Sequence, residues 1–139
     1  MANGSSGLDD WGRLVLRLAV GGCMLFHGLH KLLHAGVGGI EGLLEGSGLP
    51  KFLAYGVYVG EVVAPVLILA GYYTRAAGVV LAFTMAMAVF LSHSGDVFKL
   101  GDHGAWAIET PALFLLGGVA ISFLGAGRIS ISKGQGPLH

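Results

Sequence analysis

A single cysteine, Cys23, occurs in 139 residues, which excludes an internal disulfide, a Cys-x-x-Cys redox pair and a cysteine-rich metal site. Charge is also scarce. Lys, Arg, Asp and Glu make up 12% of the chain, about half of the ~25% that soluble domains carry. Eight basic and eight acidic residues give a formal net charge of zero. No basic field therefore invites nucleic acid, and none steers the chain strongly to anionic lipid. A basic leader with a small-residue cleavage site is missing too. The chain opens on Asn3-Gly4-Ser5-Ser6-Gly7 followed by Asp9 and Asp10, so no signal peptide is expected. The length leaves room for one domain.

Apolar residues are abundant, at 54%, with mean hydropathy +0.75 and 25 glycines. A helix needs about 20 mostly apolar residues to cross a bilayer, and four blocks approach that length. They run over residues 12–33, 52–71, 76–93 (most apolar up to Leu91) and 104–124. The expected fold is an all-α membrane protein, a bundle of four transmembrane helices over 12–127. A flexible segment, 1–11, precedes it, and a short, polar, mobile tail, 128–139, follows. Tyr72-Tyr73-Thr74-Arg75 reads as a tight turn. The glycine-rich loop from His34 to Lys51 has room for a short interfacial helix.

Lysine and arginine set the expected orientation. Arg13, Arg75, Arg128 and Lys133 fall on the side of the two termini, Lys51 and Lys99 on the other, with Lys31 near it. Both termini are thus expected in the cytoplasm, with the chain crossing the membrane several times. Trp11, Tyr72 and Tyr73 suit an inner aromatic belt and Trp106 an outer one. Glycines at 21, 22, 28, 56, 60, 117 and 118 allow close approach of helices, which is ordinary bundle packing.

The informative residues are ionisable groups inside the apolar blocks. Charge in hydrocarbon is costly, so such groups face the bundle interior and mark function by default. The first helix carries Arg17, His27, His30, Lys31 and His34, the second Glu61, the third His93 at its end, and the fourth Glu109. The topology puts all except Arg17 in the outer half. On a helical wheel His27, Lys31 and His34 share a face. Pro65 and Pro111 lie near the two glutamates, where a proline inside a helix frees a carbonyl and kinks the rod. A polar cavity, an internal salt-bridge network or a simple packing bend would each account for the pattern.

Burial and a nearby cation act oppositely on a carboxyl group, and a group held between them can exchange protons near neutral pH. Quinone chemistry needs proton donors at the ring oxygens and an apolar slot for the ring. Glu61, His93, Glu109 and Lys31 would carry the catalytic part; His27, Tyr58 and Arg17 would help to hold a cofactor, with Tyr55, Phe26 and Phe90 nearby. The same imidazoles and carboxylates, His27, His93, Glu61 and Glu109, could hold a metal instead. His27 and His93 could also ligate a haem from two sides. The Glu-x-x-His pairs of di-iron bundles are missing.

At these residues the sequence resembles the DoxX family of small four-helix bacterial membrane proteins. The resemblance runs from about Arg13 to Ser132. It rests on Arg17 with His27-Gly28-Leu29-His30-Lys31, on Gly60-Glu61-Val62, and on Leu69-Ala70-Gly71-Tyr72-Tyr73-Thr74-Arg75. Met87-Ala88-Val89-Phe90-Leu91-Ser92-His93, Ile108-Glu109-Thr110-Pro111-Ala112-Leu113 and Leu124-Gly125-Ala126-Gly127-Arg128-Ile129-Ser130 continue it. Ala126 stands where the family often has proline. The resemblance implies association with membrane oxidoreductase systems, including a thiosulfate:quinone oxidoreductase, and with responses to quinones or thiol stress. It also implies that Arg17, Lys31, Glu61, His93 and Glu109 occupy favoured positions, whereas His30 and His34 do not.

Three functions fit this reading. One is a redox-linked membrane subunit binding quinone or a metal. Another is a non-catalytic anchor or assembly partner within a larger oxidoreductase complex. The third is a small-solute or proton-coupled transporter, which the lack of inverted repeats disfavours.

Overall fold

In the computed structural model, residues 7–139 are described, and their regular elements are all helices, with no β-strand among them. Helix α1 spans Gly7–Ala35, α-helical over Gly7–His30 and widened to a π-turn over Lys31–Ala35. The short helix α2 is Gly38–Gly46. Helix α3 spans Lys51–Ala70, α4 is Thr74–Ser92 and α5 is Glu109–Leu124. Three of these, α1, α3 and α4, are long and apolar enough to cross a membrane. The fourth apolar helix, α5, has 16 residues and is about 24 Å long at ~1.5 Å per residue. That is shorter than the ~30 Å hydrocarbon core.

The helix starts depart from expectation for local reasons. Residues 1–6 of the expected flexible segment lie outside the described residues, but Gly7 to Trp11 are helical. Asp9 and Asp10 sit in the first turn of α1, where carboxylates complement the positive end of the helix. Helix α5 begins at Glu109 rather than near Gly104. Pro111 is therefore its third residue, where a missing N–H costs nothing, and it starts the helix instead of kinking it. Pro65 behaves differently. It removes the N–H that Glu61 or Gly60 would otherwise bond, and the ladder slips to i→i+5 over Val59–Val63 before a regular helix resumes at Ala64. The Ala64 N–H accordingly donates to the Val59 carbonyl.

The buried centre is formed by Met24, Ala64, Ile68, Ala77, Leu81, Met85 and Ile121, drawn from α1, α3, α4 and α5. Helices α4 and α5 cross at Gly78 and Gly118. A Cβ on either glycine would lie 2.7 or 2.8 Å from the other's carbonyl oxygen, so the two backbones touch directly. A smaller cluster, Val37, Leu44 and Ala54, seats α2 across one end of α3 and α4.

At the opposite end the start of α1 meets the C-terminal segment. The tail after Arg128, expected to be mobile, folds back over the bundle. The Ile131 N–H donates to Ala70 (3.1 Å), that of Ser132 to Gly71 (3.2 Å) and that of Arg75 to Leu138 (3.0 Å). Arg128 donates to both Asp10 carboxylate oxygens, from its main-chain N–H (3.0 Å) and its Nε (2.6 Å). The tail's polar side chains hid this docking, because the contacts to Ala70 and Gly71 are main chain to main chain.

Candidate functional site

Two backbone irregularities face each other on α1 and α3. Lys31 opens the π-turn of α1, and Glu61 lies inside that of α3. Such bulges recur at functional sites because they re-aim a side chain without ending the helix. Lys31 Nζ donates to Glu61 Oε1 at 2.7 Å and Oε2 at 2.6 Å. Glu61 is 3% exposed, while the Lys31 side chain keeps 31% of its surface. The pair therefore has a buried anion and a cation that reaches open space.

Gly28, one turn before Lys31, sets this distance. Its Cα lies against the Glu61 peptide, and an added Cβ would collide with the Glu61 carbonyl and come 2.8 Å from Val62 Cγ2. Gly28→Ala is expected to destabilise the protein by about 1–3 kcal/mol, as overpacking does. It should also pry the ion pair apart, and thermal unfolding in detergent measures the first effect. An unchanged melting temperature would show that α1 and α3 do not meet there.

Beside the pair lies a cavity of about 700 Å³. Its walls come from α3 (Leu53, Val57, Val59) and α4 (Val80, Phe83, Met87, Leu91), and α2 roofs it with Ile40, Leu43 and Leu44. The polar side chains on it are Lys31, Glu61, Thr84, Ser92 and His93. Thr84 spends its hydroxyl proton on the Val80 carbonyl (2.8 Å). His93 caps α4 at the rim, with Nδ1 3.8 Å from Asp96 Oδ2. Asp96 also accepts from Lys99 Nζ at 3.0 Å. Lys99 holds the Asp96 carboxyl below its ordinary range against an opposing effect of burial, and His93 adds lesser contributions in the same direction as Lys99. Phe83 and Val59 line the cavity yet are 66% and 51% exposed on the lipid-facing surface.

Of the residues singled out in the sequence, Lys31, Glu61 and His93 thus share one cavity. The others do not join them. His27 turns its ring edge-on to Phe114 of α5 at 5.6 Å, its Nδ1 3.0 Å from the Cys23 carbonyl oxygen. Glu109 is exposed at the first turn of α5. Tyr58 packs against the α2 cluster, 6.3 Å from the Tyr55 ring. Phe26 and Phe90 are exposed. His30 and His34 stack on each other at 5.5 Å. The four groups expected as a metal set, His27, His93, Glu61 and Glu109, are not brought together. Among the described residues no three His, Cys, Asp or Glu side chains group to hold a metal. A helical wheel gives Cα directions; which neighbour each ring meets depends on helix pairing, which it does not encode.

Arg17 has another task at the far end of the bundle. It is 2% exposed and donates to four carbonyls. Nε reaches Ile68 (2.8 Å), Nη2 reaches Leu69 (2.8 Å), and Nη1 reaches Ala126 (2.9 Å) and Ile129 (2.8 Å). The first two belong to the last turn of α3, where Ile68 also accepts from the Gly71 N–H (3.2 Å) and main-chain donors run short.

The family model for DoxX matches residues 12–94. The chain belongs to the DoxX family. The matched stretch holds Lys31, Glu61 and His93, so every ionisable group of the cavity lies within the DoxX region. Helix α5, with Glu109, lies outside it, as does the C-terminal part of the expected resemblance. The family and the apolar helices together make this a multi-pass membrane protein. Over 81 residues the chain is 38% identical to a Bacillus subtilis (strain 168) protein named "Putative oxidoreductase CatD". The aligned part is 56% of this DoxX chain and 57% of that relative, so the chain spans a little over half of the relative's length. No solved structure matches it. A short helix was expected in the loop from His34 to Lys51, and α2 lies there; that it roofs the cavity is the part of the site that sequence reasoning missed. Its signal is the glycine pair Gly36 and Gly48, both at positive φ (66° and 74°), bracketing an apolar helix.

Proposed function

We propose that this DoxX protein is a quinone-binding subunit of a membrane oxidoreductase, with the cavity beside Lys31 and Glu61 as its site. The observation that carries the reading is one apolar chamber with a single buried ion pair in its wall. A volume of about 700 Å³ falls within the ~300–1,000 Å³ typical of small-molecule sites. Valine, leucine, phenylalanine and methionine walls suit a flat ring, and the lipid-exposed Phe83 and Val59 mark a side from which a membrane-soluble molecule enters. An ammonium group has three N–H donors, and two of those on Lys31 go to Glu61. The third is free for a ring oxygen. Glu61 holds Lys31 in place and accepts or returns a proton through it, while His93 at the rim is the next group able to carry that proton outward. Electrons would come from an associated redox protein, which fits the oxidoreductase name of the Bacillus relative.

The test is titration of the purified protein, in lipid nanodiscs, with a short-tailed benzoquinone and a short-tailed naphthoquinone. Saturation at about 100 times Kd should stabilise the fold by about 2.7 kcal/mol. Glu61→Gln should weaken binding about tenfold or more, as loss of a charge-assisted hydrogen bond does. No stabilisation by either ring, or the same response in Glu61→Gln, would sink the proposal.

A further inference from the structure

We propose that the end of the bundle where the start of α1 meets the C-terminal segment carries a second binding site, for a phosphate-bearing anion at lipid-headgroup depth. A separate cavity of about 160 Å³ lies there, between α1, the start of α4 and the C-terminal segment. Four cationic side chains line it, Arg13, Arg75, Arg128 and Lys133, against the single carboxylate of Asp10. That carboxylate is already engaged by Arg128, through the main-chain N–H and Nε. Arg75 commits Nε to the main-chain oxygen of His139 (3.0 Å) and Nη1 to Ser122 (3.2 Å) and Phe123 (2.7 Å), which leaves Nη2 to spare. Arg13 and Lys133 donate to nothing among the described residues. The lining thus has an excess of positive charge and unspent donors from three separate stretches of chain.

Depth identifies the class of ligand. Trp11, Tyr72 and Tyr73 are exposed at this same end, and amphipathic rings of this kind settle at the level of the headgroups. Basic pockets at that level bind phosphate headgroups, and guanidinium forks match phosphate oxygens in pairs. The zero net charge of the chain hides this, because apart from Asp9 and Asp10 the carboxylates lie away from this end. At the other end Lys51 is paired with Glu45 at 3.0 Å and Lys99 with Asp96 at 3.0 Å. These two lysines provide a charge-matched control.

The experiment is native mass spectrometry of the full chain from micelles doped with phosphatidylglycerol or phosphatidylcholine, with thermal unfolding in inorganic phosphate as a second arm. The parent should retain phosphatidylglycerol in preference to phosphatidylcholine. Arg13→Gln with Lys133→Gln should weaken that retention about 30-fold, at about fivefold per near-surface cation. Lys51→Gln with Lys99→Gln should leave it unchanged. If the double variant unfolds early in phosphatidylcholine, Lys133→Gln alone should still give the fivefold loss. Retention lost only in the Arg13/Lys133 variants assigns the site to a lipid headgroup. Phosphate that raises the parent's unfolding temperature and displaces the lipid assigns it to the free anion. Equal retention of both lipids with no phosphate effect, or equal loss in the control pair, overturns the site.

Discussion

Replacing Arg17 with methionine is expected to cost about 4 kcal/mol or more, since each charge-assisted hydrogen bond contributes about 1.5–3 kcal/mol and four are lost together. The terms are not additive, but the change is large against a total stability of about 5–15 kcal/mol. The carbonyls of Leu69, Ala126 and Ile129 would lose the arginine donor, and Ile68 would keep only the Gly71 N–H. Arg17→Lys should rescue little. An ammonium is a compact point charge, whereas the guanidinium reaches four oxygens on two segments through its fork. Two readouts separate this role from a cofactor-binding one. The melting temperature in detergent should fall for both variants. Trypsin should also cut at Arg128 and Lys133 much faster than in the parent, because the C-terminal segment loses its anchor. A variant that melts and resists trypsin like the parent would remove the clamp from the account.

The second large effect concerns the ion pair, and it should be asymmetric. Lys31→Met strands the Glu61 carboxylate, 3% exposed, and should cost about 3–5 kcal/mol, as removing one partner of a buried pair does. Glu61→Gln leaves a lysine whose side chain already keeps 31% of its surface and can extend to a more polar region. It should cost a third as much, about 1–2 kcal/mol. The double variant Lys31→Met/Glu61→Gln should recover most of the stability, since neither charge is then uncompensated. Quinone stabilisation should nonetheless vanish in it, because the free N–H is gone. Unfolding of the three variants and the parent forms a double-mutant cycle. Additive costs across that cycle would mean that the two groups do not interact in the membrane.

The helices were legible because a bilayer demands long apolar runs, and the chain has them. Lys31, Glu61 and His93 were legible for the complementary reason, that ionisable groups in such runs are costly and so are placed with purpose. Other features left no such mark. The acceptors of Arg17 are main-chain carbonyls, which every residue has, so nothing in the sequence singles them out. The two π-turns depend on how α1 and α3 meet around Gly28 and Pro65. Pro111 reads the same from sequence whether it kinks a helix or begins one. His27 and Glu109 look equivalent to Lys31 and Glu61 on a residue count, and only helix pairing turns them to other neighbours.

The Arg17 clamp also bears on the order in which the protein is completed. Its first two acceptors lie 51 and 52 residues further along the chain, and its last two 109 and 112 residues further. At synthesis rates of about 5–20 residues per second, the arginine enters the bilayer roughly 5–20 s before the last acceptor exists. For nearly the first half of that interval none of its acceptors exists, and for the rest the charge is only half provided for. The newborn chain is thus exposed to quality-control proteases until residues 126–129 have emerged, and that segment acts as the latch that ends the exposure.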